Sequence, residues 1–219
     1  MADRNVFLTG GTGYMGSRLI PRLLARGHRV TACVRRGSEG KVPAGAQALP
    51  LDPLAAAALK PVLPGHDTWV QLIGTPHPAP WKAEQFRAVE LRAAHAMAAA
   101  LPGSGIRHAV YLSVAQPAPT MKAYLAVRQE GESLLRATGI PCTFLRPWYV
   151  LGPGHRWPYV LIPVYKLFER FPSTRAGALR LGLVTLEQML SALIQAIESD
   201  PPTSPCIIDV PAIRQAHLT

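Results

Sequence analysis

The sequence predicts an α/β fold in which a doubly wound parallel sheet carries a small C-terminal cap. Three observations support this prediction. Short apolar runs alternate with stretches of helical periodicity through residues 5–145, an order typical of parallel βαβ units. A cluster of glycines directly follows the first apolar run. After Pro147 the chain becomes rich in proline and aromatic residues. We therefore expect a core at residues 1–147, and a cap with a closing helix and strand at residues 148–219.

The individual elements follow from local composition. Apolar or β-branched runs are expected as core strands, at Asn5–Thr9, Arg29–Val34, Ala46–Leu51, Thr68–Ile73, Ile106–Val114 and Cys142–Leu145. Periodic or alanine-rich stretches between them are expected as helices, at Tyr14–Arg26, Leu54–Lys60, Lys82–Leu101 and Lys122–Ala137. Beyond the core we expect a strand at Leu179–Val184, an amphipathic helix at Leu186–Glu198 and a last strand at Cys206–Val210.

The composition excludes several classes of protein. Hydrophobic residues make up 48% of the 219 and charged residues only 16%, whereas disordered chains are poor in the former and rich in the latter. No apolar run approaches the ~18 residues that a membrane-spanning helix needs. The first strand-like run begins at Val6 and leaves no room for a signal peptide, so we expect a cytoplasmic protein.

The charge balance favours anionic partners. Lys and Arg number 23 and Asp and Glu 13, a formal net charge of +10, which suits a phosphorylated cofactor. Nucleic-acid binding is disfavoured, because the basic residues are scattered and no reader motif accompanies them. The three cysteines show no Cys-x-x-Cys spacing and the seven histidines form no ligand-spaced cluster, so no metal site is expected.

The glycine cluster has the spacing and the context of a dinucleotide-binding loop. It lies between the expected first strand and first helix, as that fingerprint requires. One glycine permits the tight turn, another lets the backbone approach the pyrophosphate, and the last lets the helix pack close to the strand. The helix N-terminus adds N–H donors for the phosphates. The expected contacts of this Rossmann-type loop are Gly10, Gly11, Thr12, Gly13, Tyr14, Met15 and Gly16.

The end of the second expected strand indicates which dinucleotide is bound. NAD-selective sites place Asp or Glu there to bind the ribose hydroxyls, but this chain has Arg35 and Arg36, with no acid before Glu39. A guanidinium matches a 2′-phosphate in a bidentate way. NADP(H) is therefore the preferred cofactor and NAD(H) a possible one. The alternative is that one or both arginines are solvated surface charges.

Taken together, these residues resemble the short-chain dehydrogenase/reductase superfamily, in particular its extended and atypical branches, which include epimerase/dehydratase-like and NmrA-like proteins. The resemblance covers essentially the whole chain. It rests on the glycine loop and the basic strand end, and on four further motifs, namely Tyr111-Leu112-Ser113, Tyr124, Leu145-Arg146-Pro147 and Val150-Leu151-Gly152-Pro153-Gly154.

The resemblance implies roles for residues outside the glycine loop. It places Asp52 beside the adenine, although a turn residue before proline is an equal alternative. It makes Ser113 the catalytic serine and Tyr124 the catalytic tyrosine; the alternative for Ser113 is a strand-end hydroxyl bonded to backbone. The remaining implied contacts are Leu72, Ile73 and Gly74 on the ribose side, and Pro147 to Val150 along the nicotinamide amide.

The chain departs from the family's Tyr-x-x-x-Lys pattern, because Arg128 stands where the lysine is expected. The i, i+4 spacing places Tyr124 and Arg128 on one helix face. An arginine can donate to ribose hydroxyls and stabilise a phenolate, but its planar fork is bulkier than an ammonium. Either Arg128 performs the lysine's work imperfectly, or the fold retains a cofactor site without turnover.

The preferred function is an NADP(H)-dependent oxidoreductase, or an epimerase/dehydratase-like enzyme, acting on a carbonyl or hydroxyl group of a small-molecule substrate. The alternative is a non-catalytic NADP(H)-binding sensor or regulatory protein. The apolar segment at residues 156–165 is expected to cover the sheet, line a substrate pocket or present a surface to a membrane or partner. His77 and His155 are candidate substrate contacts. The expected helices Lys82–Leu101 and Lys122–Ala137 could pair in a homodimer.

Overall fold

The computed structural model describes residues 3–154 and 162–217. Nine strands are present in these ranges: β1 (Asn5–Thr9), β2 (Arg29–Val34), β3 (Gln47–Pro50), β4 (Thr68–Gln71), β5 (His108–Leu112), β6 (Cys142–Arg146), β7 (Tyr149–Leu151), β8 (Leu183–Thr185) and β9 (Cys206–Asp209). The α-helices of the same ranges are α1 (Gly16–Ala25), α2 (Ala56–Leu59), α3 (Ala83–Phe86), α4 (Arg92–Ala100), α5 (Lys122–Ala137), α6 (Ile162–Arg170), α7 (Pro172–Arg180), α8 (Leu186–Glu198) and α9 (Val210–Gln215).

A seven-stranded parallel sheet of the described residues forms the core, in the order β3-β2-β1-β4-β5-β6-β9. The order reverses between β1 and β4, where Thr9 lies opposite both Cys33 of β2 and Gln71 of β4. Loops leave the sheet in opposite directions at such a point and open a crevice at the carboxyl ends of the strands. The predicted doubly wound parallel sheet is confirmed.

Helices cover both faces of the sheet because the strands are apolar on both sides. On one face, Val6 and Leu8 belong to a core cluster with side chains of α1, α8 and α9. On the other face, Phe7 and Trp69 pack in a second cluster with side chains of α2, α4 and α5. The alanine-rich surface of α4 lets α5 approach closely, since a Cβ at Gly131 would lie 3.1 Å from Cβ of Ala94.

The predicted long helix at Lys82–Leu101 is interrupted. A 3₁₀ turn at Pro80–Lys82 leads into α3, and a π-helical turn at Arg87–Leu91 separates α3 from α4. A π turn changes the angular spacing of side chains, and such turns are frequent at functional sites. Here the turn contains Glu90, a carboxylate that is almost completely buried.

The cap leaves the core at β7 and returns at β8, and these two strands form a separate parallel pair. The strand predicted at Leu179–Val184 is wrong at its start, because α7 continues to Arg180 and β8 begins only at Leu183. Pro172 at the first turn of α7 favours that helix. The predicted last strand is confirmed as β9, which pairs with β6 of the central sheet. The proposed boundary at residue 147 stays a prediction.

His155 and residues 156–161, part of the apolar segment singled out in the sequence, lie outside the described residues. Within the described ranges, no helix has both the length and the apolar character required to cross a membrane.

Candidate cofactor and active site

The glycine loop connects β1 to α1 at the switch point of the sheet, and two of its glycines are required by close approaches. Gly10 has a φ of +85°, and a Cβ there would lie 2.7 Å from the carbonyl carbon of Leu72. A Cβ at Gly16 would collide with the backbone of Gly10 and Gly11. The loop therefore folds tightly against the end of β4, with its backbone bare of side chains, as pyrophosphate binding requires.

A cleft of about 450 Å³ opens beside this loop. Eight of the residues predicted to bind the cofactor line it together: Gly10, Thr12, Gly13, Arg35, Asp52, Leu72, Ile73 and Gly74. The other predicted loop residues, Gly11, Tyr14, Met15 and Gly16, are not among its lining residues. The sequence analysis did not identify the remaining wall, which is formed by Cys33, Val34, Pro53, Leu54, Thr75, Pro76, Gln85 and Val89. The lining, which joins a bare glycine loop to a basic side chain, suits the phosphates of a dinucleotide.

Charged groups lie at the β2 side of the cleft. Arg35 and Arg36 are both exposed directly after β2, and Arg35 lines the cleft. Asp52 also lines it, while its Oδ1 accepts a hydrogen bond from the backbone N–H of Leu54 at 2.9 Å. Asp52 thus holds a turn and faces the cleft at the same time. Burial, together with the charge of Asp52, raises the pKa of the Cys33 thiol to about 12, so this thiol stays protonated and is a poor nucleophile.

Ser113 follows β5 and is buried, and its hydroxyl donates to Oε1 of Glu132 at 2.6 Å. Glu132 is also buried, and it accepts from Nε and Nη2 of Arg146 at 2.9 and 2.5 Å and from the Gln116 amide at 3.0 Å. The partner of Ser113 is therefore a carboxylate, not the backbone group considered above. Because the hydroxyl proton points to Glu132, the Ser113 oxygen presents its lone pairs to other groups.

Arg128 is fully buried in α5, and its guanidinium bridges the ends of two strands. Nη1 donates to the carbonyl of Leu112 at 2.8 Å and Nη2 to the carbonyl of Ile73 at 3.4 Å. Nη2 also lies 3.8 Å from Oε1 of Glu90. Burial alone would lower the pKa of Arg128, but its interactions with Tyr124, Tyr111 and Glu90 outweigh that effect and raise it. The cation is therefore permanent and committed to protein partners.

Glu90 connects Arg128 to the residues that line the cofactor cleft. Its carboxylate accepts from the backbone N–H and the hydroxyl of Thr75, at 2.7 and 2.8 Å. Thr75, Ile73 and Gly74 all line the cleft. A Cβ at Gly74 would lie 3.0 Å from Nη2 of Arg128. The Arg128–Glu90 pair therefore fixes the strip of backbone that the sequence analysis placed on the ribose side.

Tyr124 lies one helical turn before Arg128, as their spacing predicts. The Arg128 guanidinium carbon is 5.2 Å from the centroid of the Tyr124 ring, within the range of a cation–π contact. The ring of Phe86 also packs against Tyr124, with centroids 4.9 Å apart. The half-buried phenol is thus held by a cation and an aromatic ring.

A second and larger pocket, of about 830 Å³, is formed by the cap and the loop before α5. Its lining is mainly apolar: Pro119, Thr120, Trp148, Tyr149, Tyr165, Phe168, Thr174, Ala176, Gly177, Ala178, Arg180 and Leu181. Burial raises the phenol pKa of Tyr149 and of Tyr165. Pro147 precedes this wall, and its carbonyl accepts from the N–H of Ala115 at 2.9 Å. The pocket therefore begins in the segment expected to run along the nicotinamide, Pro147 to Val150.

Several predicted site residues lie in neither lining, among them the catalytic candidates Ser113, Tyr124 and Arg128. Val150 is half-buried in β7, and His77 is exposed in a left-handed conformation. Glu132 and Glu90 were missed, although Glu132 carried a signal. It lies four residues after Arg128, on the same face of α5, where a charged side chain on a buried surface points to a specific partner.

The comparisons with known proteins agree with this geometry. A family model described as NAD(P)H-binding matches residues 10–175. The chain belongs to this NAD(P)H-binding family. Over 157 residues it is 28% identical to a ceramide reductase of Caulobacter vibrioides, covering 68% of this chain and 47% of that protein. The chain thus spans about half the length of this curated relative.

Solved structures share the fold. The Bordetella bronchiseptica enzyme WbmG in complex with NAD and UDP has a TM-score of 0.68 at 19% identity, covering 95% of this chain and 73% of that one. An epimerase-like protein of Burkholderia cenocepacia has a TM-score of 0.69 at 22% identity, covering 94% and 75%. The family match confirms that the chain is of the predicted NAD(P)-binding kind, and the neighbours show that it shares its fold with NAD-binding and epimerase-like proteins.

Proposed function

We propose that the protein is an NADP(H)-dependent oxidoreductase of the atypical short-chain type, acting on a carbonyl or hydroxyl group of a largely apolar substrate. The observation that carries the proposal is the presence of two cavities in one chain. One lies at the switch point beside the glycine loop, and the other is a mainly apolar pocket starting just after Pro147. The similarity to a ceramide reductase supports an apolar substrate. An epimerase-like reaction at the same centre is the variant that the structural neighbours suggest.

The preference for NADP(H) rests on Arg35 and Arg36. Both are exposed at the end of β2, where an acidic residue would favour NAD(H). A 2′-phosphate at this end of the cleft would meet the guanidinium of Arg35, which lines it. The glycine loop would bind the pyrophosphate, and the strip Leu72 to Gly74 would contact the ribose.

A nicotinamide cofactor held by the glycine loop and the strip Leu72 to Gly74 would supply the hydride for reduction of a substrate carbonyl. The phenol of Tyr124 donates a proton to the oxygen that becomes an alkoxide, and proton transfer of this kind contributes roughly 10²–10⁴-fold. The Ser113 hydroxyl donates its hydrogen bond to Glu132, so its oxygen is left to accept a hydrogen bond and orient a donor on the substrate or cofactor. Arg128 acts as a positioning residue, since its donors hold the carbonyls of Leu112 and Ile73.

A second candidate function is a non-catalytic NADP(H)-binding sensor. One observation favours it: the Ser113 hydroxyl and both terminal nitrogens of Arg128 donate to protein groups. Such a protein would bind the oxidised and reduced cofactor with different affinities and change its association with a partner.

The proposal is tested first by calorimetric titration with NADPH and NADH. The double variant Arg35→Ala, Arg36→Ala should bind NADPH roughly 10- to 100-fold more weakly, because charge-assisted hydrogen bonds contribute about 1.5–3 kcal/mol each, while NADH affinity changes little. Arg29→Ala is the matched control, since Arg29 is exposed at the opposite end of the same strand. Absence of binding for both nucleotides would overturn the proposal.

Turnover separates the two functions. An enzyme should reduce long-chain ketones or aldehydes with NADPH and lose this activity in Tyr124→Phe while its NADPH affinity is retained. A sensor should show no turnover with any carbonyl tested, and should discriminate NADP⁺ from NADPH in the titration.

A further inference from the structure

Three large apolar side chains are exposed close together where α6 ends and α7 begins. Leu167 is 54% exposed, Phe168 45% and Phe171 53%. Folded monomers rarely leave such clusters in water unless they serve an interaction. We call Leu167, Phe168 and Phe171 the cap patch.

The cap patch borders the mouth of the apolar pocket. Phe168 belongs to the patch and also lines the pocket. Its neighbours in the pocket lining are Tyr165 on the same helix and Thr174 on α7. The exposed cap patch and the apolar pocket thus share the side chain of Phe168. An apolar ligand bound at the patch would lie next to the pocket.

The sequence around the cap patch is rich in basic residues. The sequence from residue 162 to 181 contains Lys166, Arg170, Arg175 and Arg180 against Glu169 alone. Arg170 and Arg175 are exposed. A short amphipathic helix with large apolar side chains beside basic ones is typical of segments that lie in a membrane interface.

We propose that the cap patch docks on an anionic lipid bilayer, from which a long-chain substrate enters the cap pocket. Leu167 and Phe171 insert between the headgroups, and Arg170 and Arg175 contact lipid phosphates. The excess of basic residues in this segment favours an anionic bilayer over an apolar protein surface as the partner, because an anionic surface interacts favourably with each of these arginines. The substrate part of this inference rests on the proposed function, whereas the docking part does not.

Vesicle sedimentation with the full chain tests the docking. The vesicles are phosphatidylcholine alone, and phosphatidylcholine mixed with phosphatidylglycerol. Leu167→Ser, Phe171→Ser should weaken binding to the mixed vesicles roughly 30-fold, since about half of each side chain is available for burial. The matched control is Ile207→Ser, because Ile207 is 45% exposed on β9 of the central sheet and should leave binding unchanged.

The charge contribution is tested separately. Arg170→Gln, Arg175→Gln should weaken binding to the mixed vesicles roughly 25-fold, at about 1 kcal/mol for each basic residue near an anionic surface. High salt should reproduce this loss in the wild type, and Arg29→Gln should not. NADPH affinity is measured for every variant, so that a misfolded variant is recognised.

Absence of sedimentation with both kinds of vesicle would overturn the proposal. So would a wild-type dimer that Leu167→Ser, Phe171→Ser converts to a monomer in light scattering, because the cap patch would then be covered by a second copy. Docking in a protein that fails to bind NADPH would leave the docking supported and refute the proposed function.

Discussion

Replacing Arg128 by lysine, the residue of the family's Tyr-x-x-x-Lys pattern, should destabilise the protein instead of improving it. The guanidinium donates to two carbonyls on different strands, at Leu112 and Ile73, and lies beside the buried Glu90. A lysine keeps the charge but cannot span both carbonyls with one ammonium group. The expected loss is one charge-assisted hydrogen bond, or about 2 kcal/mol in the free energy of unfolding.

Removing the charge should cost more. Arg128→Met leaves the Glu90 carboxylate buried without its cation, a situation that costs about 3–5 kcal/mol. The double variant Arg128→Met, Glu90→Gln removes both charges. It should therefore be less destabilised than the two single variants together, by about 1–3 kcal/mol. Urea denaturation of the four proteins gives this coupling free energy directly.

NADPH affinity provides the functional readout. Ile73, Gly74 and Thr75 line the cofactor cleft and are held by the Arg128–Glu90 pair, so Arg128→Lys should weaken NADPH binding several-fold. A lysine variant with wild-type stability, wild-type affinity and faster turnover would refute this reasoning. It would show that Arg128 is an imperfect catalytic substitute.

Two further predictions concern packing and acid stability. Gly131→Ala should destabilise by about 1–3 kcal/mol, because its Cβ would lie 2.5 Å from the Tyr111 hydroxyl. Tyr111→Phe should relieve most of that loss, and the helical control Gly177→Ala, where a Cβ meets no described atom within 4 Å, should stabilise by up to about 1 kcal/mol. Burial lowers the pKa of His108 to about 4, against ~6.5 in the unfolded chain. The neutral ring is therefore favoured on folding, and its contribution is complete above pH ~6.5 and lost as the pH falls towards 4. The free energies of unfolding from urea denaturation at neutral pH and at about pH 4.5 should differ by about 2–3 kcal/mol more in the wild type than in His108→Gln, which keeps a partner for Thr143 but does not titrate. Equal pH sensitivity would contradict the prediction.

The strands of the core could be predicted because buried parallel strands are nearly continuous apolar runs. Asn5–Thr9 and Arg29–Val34 coincide with β1 and β2 to the residue. Glu90 could not be identified in this way. Its place depends on a π turn and on Arg128, which lies 38 residues further along the chain; such partners are brought together only by the tertiary fold. The alanine-rich sequence around Glu90 predicts a helix, but it does not distinguish a regular α-helix from one that contains a π turn.

The cap was predicted less well for a related reason. Leu179–Val184 has the composition of a strand, but Pro172 starts a helix that reaches Arg180. The alternation of apolar and small residues there fits both structures, and packing on α9 and on α6 decides between them.

The parallel pairing of β7 with β8 makes the segment between them exchangeable without changes in the core. Tyr149 lies opposite Leu183, and Leu151 opposite Thr185, so the intervening segment starts and ends at neighbouring points on the core. Insertions, deletions or a wholesale exchange between these points leave the seven-stranded sheet and the glycine loop in place. The segment between β7 and β8 is therefore a place where a related chain could carry a different cap on the same cofactor-binding core.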